Sequence, residues 1–263
     1  MFDLKSSQSI GFVWLVGAGP GAPDLITVRG LRILQAAEVV VYDELVNREL
    51  IQHCPGGVEQ HPVGKRAGSH NTTQDEINAL LVSLALAGRK VVRLKGGDPL
   101  IFGRAGEEIS ALRGAGIPFA IVPGVTAATA AGAVAALPLT HRDHSSAVVF
   151  VTGHQCAANT SALDWGALAR LRATLCFYMG VRRLPEIARN LLHHGMSATM
   201  PLAVVSEATL PTQQILLGTL GDADRLATGL AGQPALVVIG EVARLATLTG
   251  ALPQLQAQAE AQK

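Results

Sequence analysis

The sequence predicts an α/β protein of two domains, and three observations lead to that prediction. Short apolar runs alternate with segments of helical periodicity, which is typical of a largely parallel sheet. Hydrophobic residues make up 49% of the 263 residues and charged residues 16%, as expected for well-buried sheets rather than a disordered chain. A polar, turn-rich segment at residues 137–146 predicts the boundary between a domain of residues 1–140 and one of residues 141–263.

The elements of the first domain follow from its apolar runs and its helix signals. Strands are predicted at residues 12–16, 39–42, 58–63, 90–94 and 119–122. Helical periodicity predicts helices over residues 27–36 and 73–87, of which the second begins at a threonine cap and ends before Gly88. A further helix is expected to begin near Arg104, and a helix of small residues is expected within the uncharged segment 114–140.

The second domain repeats this alternation. Strands are predicted at residues 148–152, 175–178, 202–206, 214–217 and 236–239. Helices are predicted over residues 184–194 and 223–230. The tail at residues 254–263 is rich in alanine and glutamine and is expected to fray.

Charge and cysteine usage narrow the class of protein. Lys+Arg 21 against Asp+Glu 20 gives a net charge of +1, which argues against nucleic acid or a membrane surface as partner. The three cysteines form no C-x-x-C pair, so neither a disulfide framework nor a zinc knuckle is predicted. Residues 1–12 are too polar for a signal peptide, and segment 114–140 is too broken by proline and glycine to span a bilayer. A soluble, cytoplasmic enzyme is expected.

The most informative stretch is VVRLKGGDPLIFGRAGEE, residues 91–108. Its apolar run ends at Gly96-Gly97-Asp98-Pro99, where the chain must turn sharply because glycine adds backbone freedom and proline removes a donor. Bare backbone beside a carboxylate at a strand end is how an α/β protein builds a small-molecule site.

Charged residues follow several of these strands. Asp43 lies after the second predicted strand, and Lys65 and Arg66 lie after the third. The carboxyl ends of parallel strands share one edge of the sheet, so these charges are expected to gather there with Lys95, Asp98, Arg104 and Glu107. Glu108, one residue beyond Glu107 on the predicted helix, should point elsewhere.

The loop Gly17-Ala18-Gly19-Pro20-Gly21-Ala22 fits the G-x-G-x-x-G/A dinucleotide pattern, with Asp43 near the position of a ribose-binding residue. An NAD(P)-dependent oxidoreductase is therefore an alternative. Against it, Pro20 removes a donor from the turn and Pro23-Asp24 delays the helix. The histidines His141, His144 and His154 give only a weak zinc signal, and no metal site is predicted.

Nine motifs together resemble a known family. They are VGAGPGAPDLIT, YDELV, VGKR, RLKGGDPLIFGRAGEE, VPGVTAATAA, PLTHR, VTGH, YMG and PALVVIGEV. In order and spacing, from about residue 13 to residue 242, they resemble the uroporphyrinogen-III C-methyltransferases, which are tetrapyrrole methylases. The resemblance implies two α/β domains with S-adenosylmethionine in a cleft between them, and a homodimer. No dehydrogenase-ferrochelatase segment precedes the match, so the stand-alone form is expected.

The resemblance also implies the site residues. The cofactor contacts would be Pro20, Gly96, Gly97, Asp98, Ile101, Thr126, Ala127, Met179 and Ala208, of which Ala208 stands where relatives often have glycine. Substrate binding would fall to Arg104, Glu107 and Arg142, because guanidinium groups suit the eight carboxylates of the substrate. The catalytic residues would be Arg104, Asp43 and Lys65.

The implied reaction is transfer of two methyl groups, on neighbouring pyrrole rings, giving precorrin-2 through precorrin-1 and S-adenosylhomocysteine as by-product. The product could feed sirohaem, cobalamin or another modified haem. A methylase of a later precorrin is an alternative that shares the cofactor residues. A ribosomal-RNA ribose methylase of the same fold would want a basic surface, which a net charge of +1 does not favour.

Overall fold

The computed structural model describes residues 10–64, 72–153, 163–230 and 232–247. These residues form two compact units, one up to Thr126 and one from Ala127 onward. Each unit contains a five-stranded sheet, and together they confirm the predicted α/β class. All ten predicted strands are present, and no boundary moves by more than two residues from its predicted position.

The first unit is a parallel sheet with helices on both faces. Its strands, in spatial order β3-β2-β4-β1-β5, are all parallel to their neighbours. They are β1 (Phe12–Gly17), β2 (Val39–Tyr42), β3 (Glu59–Pro62), β4 (Lys90–Lys95) and β5 (Phe119–Val122). Its helices are α1 (Val28–Leu34), α2 (Gln74–Leu86) and α3 (Ala105–Gly114). Because the strands are parallel, the loops after all five leave from the same edge of the sheet.

Side chains along the central strands point alternately to the two faces of the sheet, and each face has its own apolar core. Val13, Leu15 and Val91 pack with α2 and α3 in one apolar cluster, while the intervening residues pack with α1 in another. Strands that are buried on both faces have continuous apolar sequences, and this made β1, β2 and β4 predictable from the sequence. Thr73 begins α2 with a reciprocal capping box to Glu76, which confirms the predicted cap.

The second unit is built around a mixed sheet in the order β6-β7-β10-β8-β9. Only β6 and β7 pair in parallel, and the other three pairs are antiparallel. The strands are β6 (Val148–Thr152), β7 (Thr174–Tyr178), β8 (Pro201–Ser206), β9 (Gln214–Thr219) and β10 (Ala235–Ile239). The helices are α4 (Ala127–Val134), α5 (Trp165–Arg170), α6 (Leu184–His193) and α7 (Ala223–Thr228).

The small-residue helix α4 belongs to this second unit. The backbone N–H of Ala128 donates to the hydroxyl of Tyr178 at 3.2 Å, and Thr247 N donates to Ala135 O at 2.9 Å. The compact units therefore divide after Thr126, whereas the sequence prediction assigned residues 127–140 to the first domain. Within the described ranges, no helix has the length and apolar character needed to cross a bilayer. The tail at 254–263 lies outside them.

Candidate functional site

The loops after β1 and β4 are joined by backbone hydrogen bonds at the carboxyl edge of the parallel sheet. Gly97 N donates to Gly19 O at 2.7 Å, and Gly19 N donates to Gly97 O at 3.2 Å. Ala18 N also donates to Lys95 O at 2.7 Å. The glycine loop after β1 is thus hydrogen-bonded to the Gly-Gly-Asp turn after β4.

This arrangement weakens the dinucleotide interpretation of the glycine loop. A 3-10 turn, Pro23–Leu25, separates the loop from α1, which begins only at Val28. Dinucleotide binding of this type places the pyrophosphate at the N-terminus of the helix that directly follows the glycine turn. The loop of this chain instead supports the neighbouring turn after β4.

Three glycines allow the loops after β1, β4 and β5 to touch through their backbones. A Cβ built on Gly124 would overlap the carbonyl oxygen of Gly97 and lie 2.9 Å from Gly17 Cα. A Cβ on Gly17 would lie 2.6 Å from Gly124 Cα. Gly97 also has a φ of +67°, a conformation that favours glycine. This edge of the sheet is therefore closely packed and free of side chains at its centre.

The carboxylate of Asp98 holds this turn together. Its Oδ2 accepts a hydrogen bond from Gly124 N at 3.0 Å, and its Oδ1 accepts one from Leu100 N at 2.8 Å. Asp98 thereby fixes the loop after β4 against the loop after β5. A carboxylate has about four acceptor positions, so Asp98 can accept further hydrogen bonds from a ligand.

A buried ion group lies beneath the same edge and consists of Asp43, Arg93, Lys95 and Glu108. Glu108 Oε1 accepts from Arg93 Nε and from Lys95 Nζ, each at 2.9 Å. Arg93 Nη2 donates to Asp43 Oδ1. Arg93 is 1%, Lys95 2% and Glu108 0% exposed, while the Asp43 side chain is 30% exposed. Asp43 therefore connects the buried group to the surface of the site.

The charges of this group balance, with two cations against two carboxylates. Burial lowers the pKa of Lys95, and the nearby positive charge of Arg93 lowers it further, while Glu108 and Asp43 act in the opposite direction. Glu108 Oε2 is buried without a hydrogen-bond partner among the described residues. Such a group is stable only while each charge faces an opposite one.

Sequence reasoning identified only part of this group. It placed Asp43 and Lys95 at strand ends and expected Glu108 to point away from Glu107, which the burial of Glu108 confirms. It did not single out Arg93. The available signal was the spacing of Arg93 and Lys95, because residues two apart on a strand share a face and two cations on one buried face require an anion.

Arg104 and Glu107 form a second, exposed ion pair at the start of α3. Arg104 Nε donates to Glu107 Oε1 at 2.8 Å and Nη2 donates to Oε2 at 2.6 Å. Their side chains are 59% and 50% exposed. The hydrogen bonds from Arg104 hold the pKa of Glu107 below its ordinary value. The fork of the guanidinium is therefore held in one orientation at the rim of the site.

The remaining predicted residues divide between the two units, except Lys65. Pro20, Ile101 and Thr126 are half-buried in the first unit, and an added Cβ on Gly97 would lie 4.0 Å from Thr126 Cα. In the second unit, Met179 is exposed after β7, Ala127 begins α4 and Ala208 follows β8. Arg142 is exposed before β6. The predicted catalytic residue Lys65 lies outside the described residues.

Of the three histidines considered for a metal site, His141 and His144 lie side by side and His154 lies outside the described residues. The rings of His141 and His144 are 4.7 Å apart, and His141 Nδ1 accepts a hydrogen bond from Asp143 N at 3.1 Å. Among the residues that the structure describes, no group of three or more metal-ligating side chains comes together.

Comparison with known proteins gives a consistent family. Residues 13–224 match the sequence model of the tetrapyrrole (corrin/porphyrin) methylases. Siroheme synthase 1 of Yersinia pseudotuberculosis serotype I (strain IP32953) is 52% identical over 238 residues, which is 90% of this chain and 50% of that protein. The siroheme synthase of Gluconacetobacter diazotrophicus is 49% identical over 247 residues, covering 94% of this chain and 53% of that protein. The chain thus spans about half the length of these curated relatives.

Solved structures agree with this result over nearly their whole length. Uroporphyrin-III C-methyl transferase from Thermus thermophilus, complexed with S-adenyl homocysteine, is 40% identical with a TM-score of 0.77, and the match covers 89% of this chain and 100% of that one. A cobalt precorrin-4 methyltransferase is 31% identical with a TM-score of 0.78, over 88% and 95% of the two chains. The family match, the relatives and the fold agree: the chain belongs to the tetrapyrrole (corrin/porphyrin) methylases.

Proposed function

We propose that this chain transfers two methyl groups from S-adenosylmethionine to neighbouring pyrrole rings of uroporphyrinogen III. Precorrin-1 would form first, then precorrin-2, with S-adenosylhomocysteine as by-product. The observation that supports this most strongly is the carboxyl edge of the parallel sheet. There the bare Gly-Gly-Asp turn adjoins Asp43, in a fold shared with a uroporphyrin-III C-methyl transferase that binds S-adenyl homocysteine.

The residues at this edge fit the cofactor. Gly96 and Gly97 offer half-buried backbone without side chains, and Asp98 retains acceptor positions for hydroxyl or ammonium donors. Pro20 and Ile101 can supply apolar contact. The family resemblance adds Thr126 from the first unit and Ala127, Met179 and Ala208 from the second as contacts. When bound, S-adenosylmethionine supplies an electrophilic methyl group on a sulfonium.

The exposed cations suit a substrate with eight carboxylates. A net charge of +1 leaves recognition to a local cluster, and Arg104 and Arg142 provide guanidinium forks that pair well with carboxylates. Glu107 would be repelled by those carboxylates. Its hydrogen bonds to Arg104 instead suit it to orient that side chain toward the macrocycle.

Methyl transfer forms a carbon–carbon bond at the pyrrole ring, breaks the sulfonium C–S bond and leaves a cationic ring whose nitrogen must lose its proton. Asp43 is the carboxylate at this edge that is both partly exposed and held by a buried cation. We assign it as acceptor of that proton, and the family resemblance adds Lys65 as a further catalytic residue. Arginine is a poor base at its ordinary pKa, so Arg104 binds and polarises the substrate.

Incubation with labelled S-adenosylmethionine and uroporphyrinogen III tests the proposal, with a doubly methylated product as the expected result. A parallel reaction with cobalt-precorrin-4 tests the second candidate, which the fold of the cobalt precorrin-4 methyltransferase supports. Methylation of that compound alone would reject uroporphyrinogen III as substrate. Arg104→Ala should keep S-adenosylhomocysteine binding and lose turnover. Full turnover by this variant would contradict the role of Arg104.

The family resemblance also supports a homodimer. The chain has a mass of 27.3 kDa, so light scattering of the purified protein should give twice that value. A mass equal to one chain would reject this part of the proposal.

A further inference from the structure

Arg93 occupies an unusual position for an arginine. It lies on the central strand β4, paired in register with Leu15 of β1 and Val41 of β2. It is 1% exposed, on the same face as Val91, which packs with α2 and α3. Burying a cation in an aliphatic sheet is unfavourable unless anions and hydrogen bonds compensate. The contacts of Arg93 should therefore indicate what it does.

Each of the three nitrogens of its guanidinium donates a hydrogen bond. Nε donates to Glu108 Oε1 at 2.9 Å, and Nη1 donates to the backbone oxygen of Leu94 at 3.4 Å. Nη2 donates to Asp43 Oδ1. Two of these partners, Glu108 and the Leu94 carbonyl, belong to the buried framework. They fix the plane of the guanidinium, so that its third nitrogen, Nη2, faces Asp43.

Arg93 is not needed to neutralise Glu108. Lys95 already donates to Glu108 Oε1 at 2.9 Å and is itself 2% exposed, so Lys95 and Glu108 alone would form a neutral pair. The positive charge of Arg93 is then matched by Asp43. The ion group consists of two pairs, Lys95 with Glu108 and Arg93 with Asp43, which are linked because Arg93 also donates to Glu108 Oε1. Of these four residues, Asp43 is the only one more than slightly exposed.

We propose that Arg93 is a positioning residue that holds the carboxylate of Asp43 in its catalytic orientation, with Glu108 anchoring the arginine. The inference rests on the proposed function, in which Asp43 accepts the proton released after methyl transfer. Asp43 follows the last residue of β2, and its N–H donates to Leu94 O at 3.3 Å. Its backbone is thus tied to β4, and the Arg93 contact ties its side chain to the same strand.

A double-mutant cycle between Arg93 and Asp43 tests this role, using the full chain, labelled S-adenosylmethionine and uroporphyrinogen III. Arg93→Lys keeps the charge but loses the planar fork. It should lower kcat roughly tenfold to a hundredfold, the range that small misplacement of a catalytic group produces. The KM for uroporphyrinogen III and the Kd for S-adenosylhomocysteine should stay within about twofold of their original values.

The decisive readout is non-additivity. Asp43→Asn alone should lower kcat, and Arg93→Lys added to Asp43→Asn should lower it no further, because Arg93 acts through Asp43. A purely structural role would instead give additive losses, which would overturn the inference. No methylation of uroporphyrinogen III by the unaltered protein would overturn the proposed function and the inference together.

Val91→Ala is the matched control for stability. It removes apolar volume from the same face of the same strand and leaves the ion group intact, so its thermal midpoint should fall while its kcat stays unchanged. If Arg93→Lys does not fold, Arg93→Gln gives the same comparison, since Lys95 and Glu108 remain as a neutral pair. Failure of both variants to fold would make Arg93 a structural requirement and overturn the inference.

Discussion

The exposed pair of Arg104 and Glu107 bears on the proposed binding of an anionic substrate. The two hydrogen bonds between them join residues three apart on the first turn of α3, and Arg104 has a φ of +57°. Backbone strain in a non-glycine residue is often found at functional sites. A substrate carboxylate that binds Arg104 must therefore share or displace the bonds to Glu107.

The pKa of Glu107 should report on this pair directly. Arg104→Ala removes the hydrogen bonds that lower it, so the pKa should rise toward its ordinary value of 4.5. A carbon-detected NMR titration of the side-chain carboxyl measures the change. Because the folded pKa is depressed, the pair stabilises the fold above the unfolded pKa and loses that effect as pH falls through the folded pKa.

Arg183 and Glu186 provide the matched control for that titration. They form the same three-residue pair at the start of α6, with Arg183 Nε donating to Glu186 Oε2 at 2.8 Å, and the pKa of Glu186 is also lowered, chiefly by this hydrogen bonding. Arg183→Ala should raise the pKa of Glu186 and leave that of Glu107 unchanged. An unchanged Glu107 pKa in Arg104→Ala would show that the pair does not persist in solution.

At the scale of elements, the contact of three loops at the sheet edge sets how the Gly96–Asp98 turn is held. Gly124→Ala would force apart the loops after β4 and β5, because the new Cβ overlaps Gly97 O. Overpacking of this kind costs about 1–3 kcal/mol of unfolding free energy. We expect a lower thermal midpoint and a Kd for S-adenosylhomocysteine raised about tenfold, equivalent to about 1.4 kcal/mol, measured by calorimetry.

Gly106→Ala is the control for that substitution. Gly106 lies in the first turn of α3, and a Cβ there would meet no atom within 4 Å. Alanine in a helix is favoured over glycine by about 0.5–1 kcal/mol, so this variant should be equally or more stable and bind the cofactor normally. Equal behaviour of the two variants would contradict the close packing inferred for Gly124.

The elements also show what a sequence can and cannot reveal. Strands β1, β2 and β4 were predictable because they are apolar runs that end at glycine or aspartate, and the Gly96–Asp98 turn was predictable for the same local reasons. The Arg93–Asp43 contact joins residues 50 positions apart, so it depends on the pairing of β2 with β4 and has no local signature. The assignment of α4 to the second unit likewise depends on Tyr178 and Thr247, far along the chain.

For the whole molecule, charge is nearly balanced, with a net charge of +1. The chain therefore offers no general positive field to the proposed substrate, which carries eight carboxylates. Under the proposed function, recognition would come from exposed cations such as Arg104 and Arg142, since Arg93 and Lys95 are buried and neutralised by their own carboxylates. Binding of the substrate should accordingly be local and sensitive to salt.

The salt dependence of the two ligands should therefore differ. Raising the ionic strength from 0.1 M to 1 M shortens the Debye length from about 10 Å to about 3 Å, so charges are screened more strongly. Over that range the KM for uroporphyrinogen III should rise several-fold. The Kd for S-adenosylhomocysteine should change little, because its proposed contacts are mainly backbone and apolar groups. Arg142→Ala should raise the KM at low salt and flatten its salt dependence. Arg172→Ala is the control, because it removes an exposed arginine outside the predicted site, and it should behave like the unaltered protein. If Arg142→Ala and Arg172→Ala had equal effects, net charge rather than a local cluster would recognise the substrate.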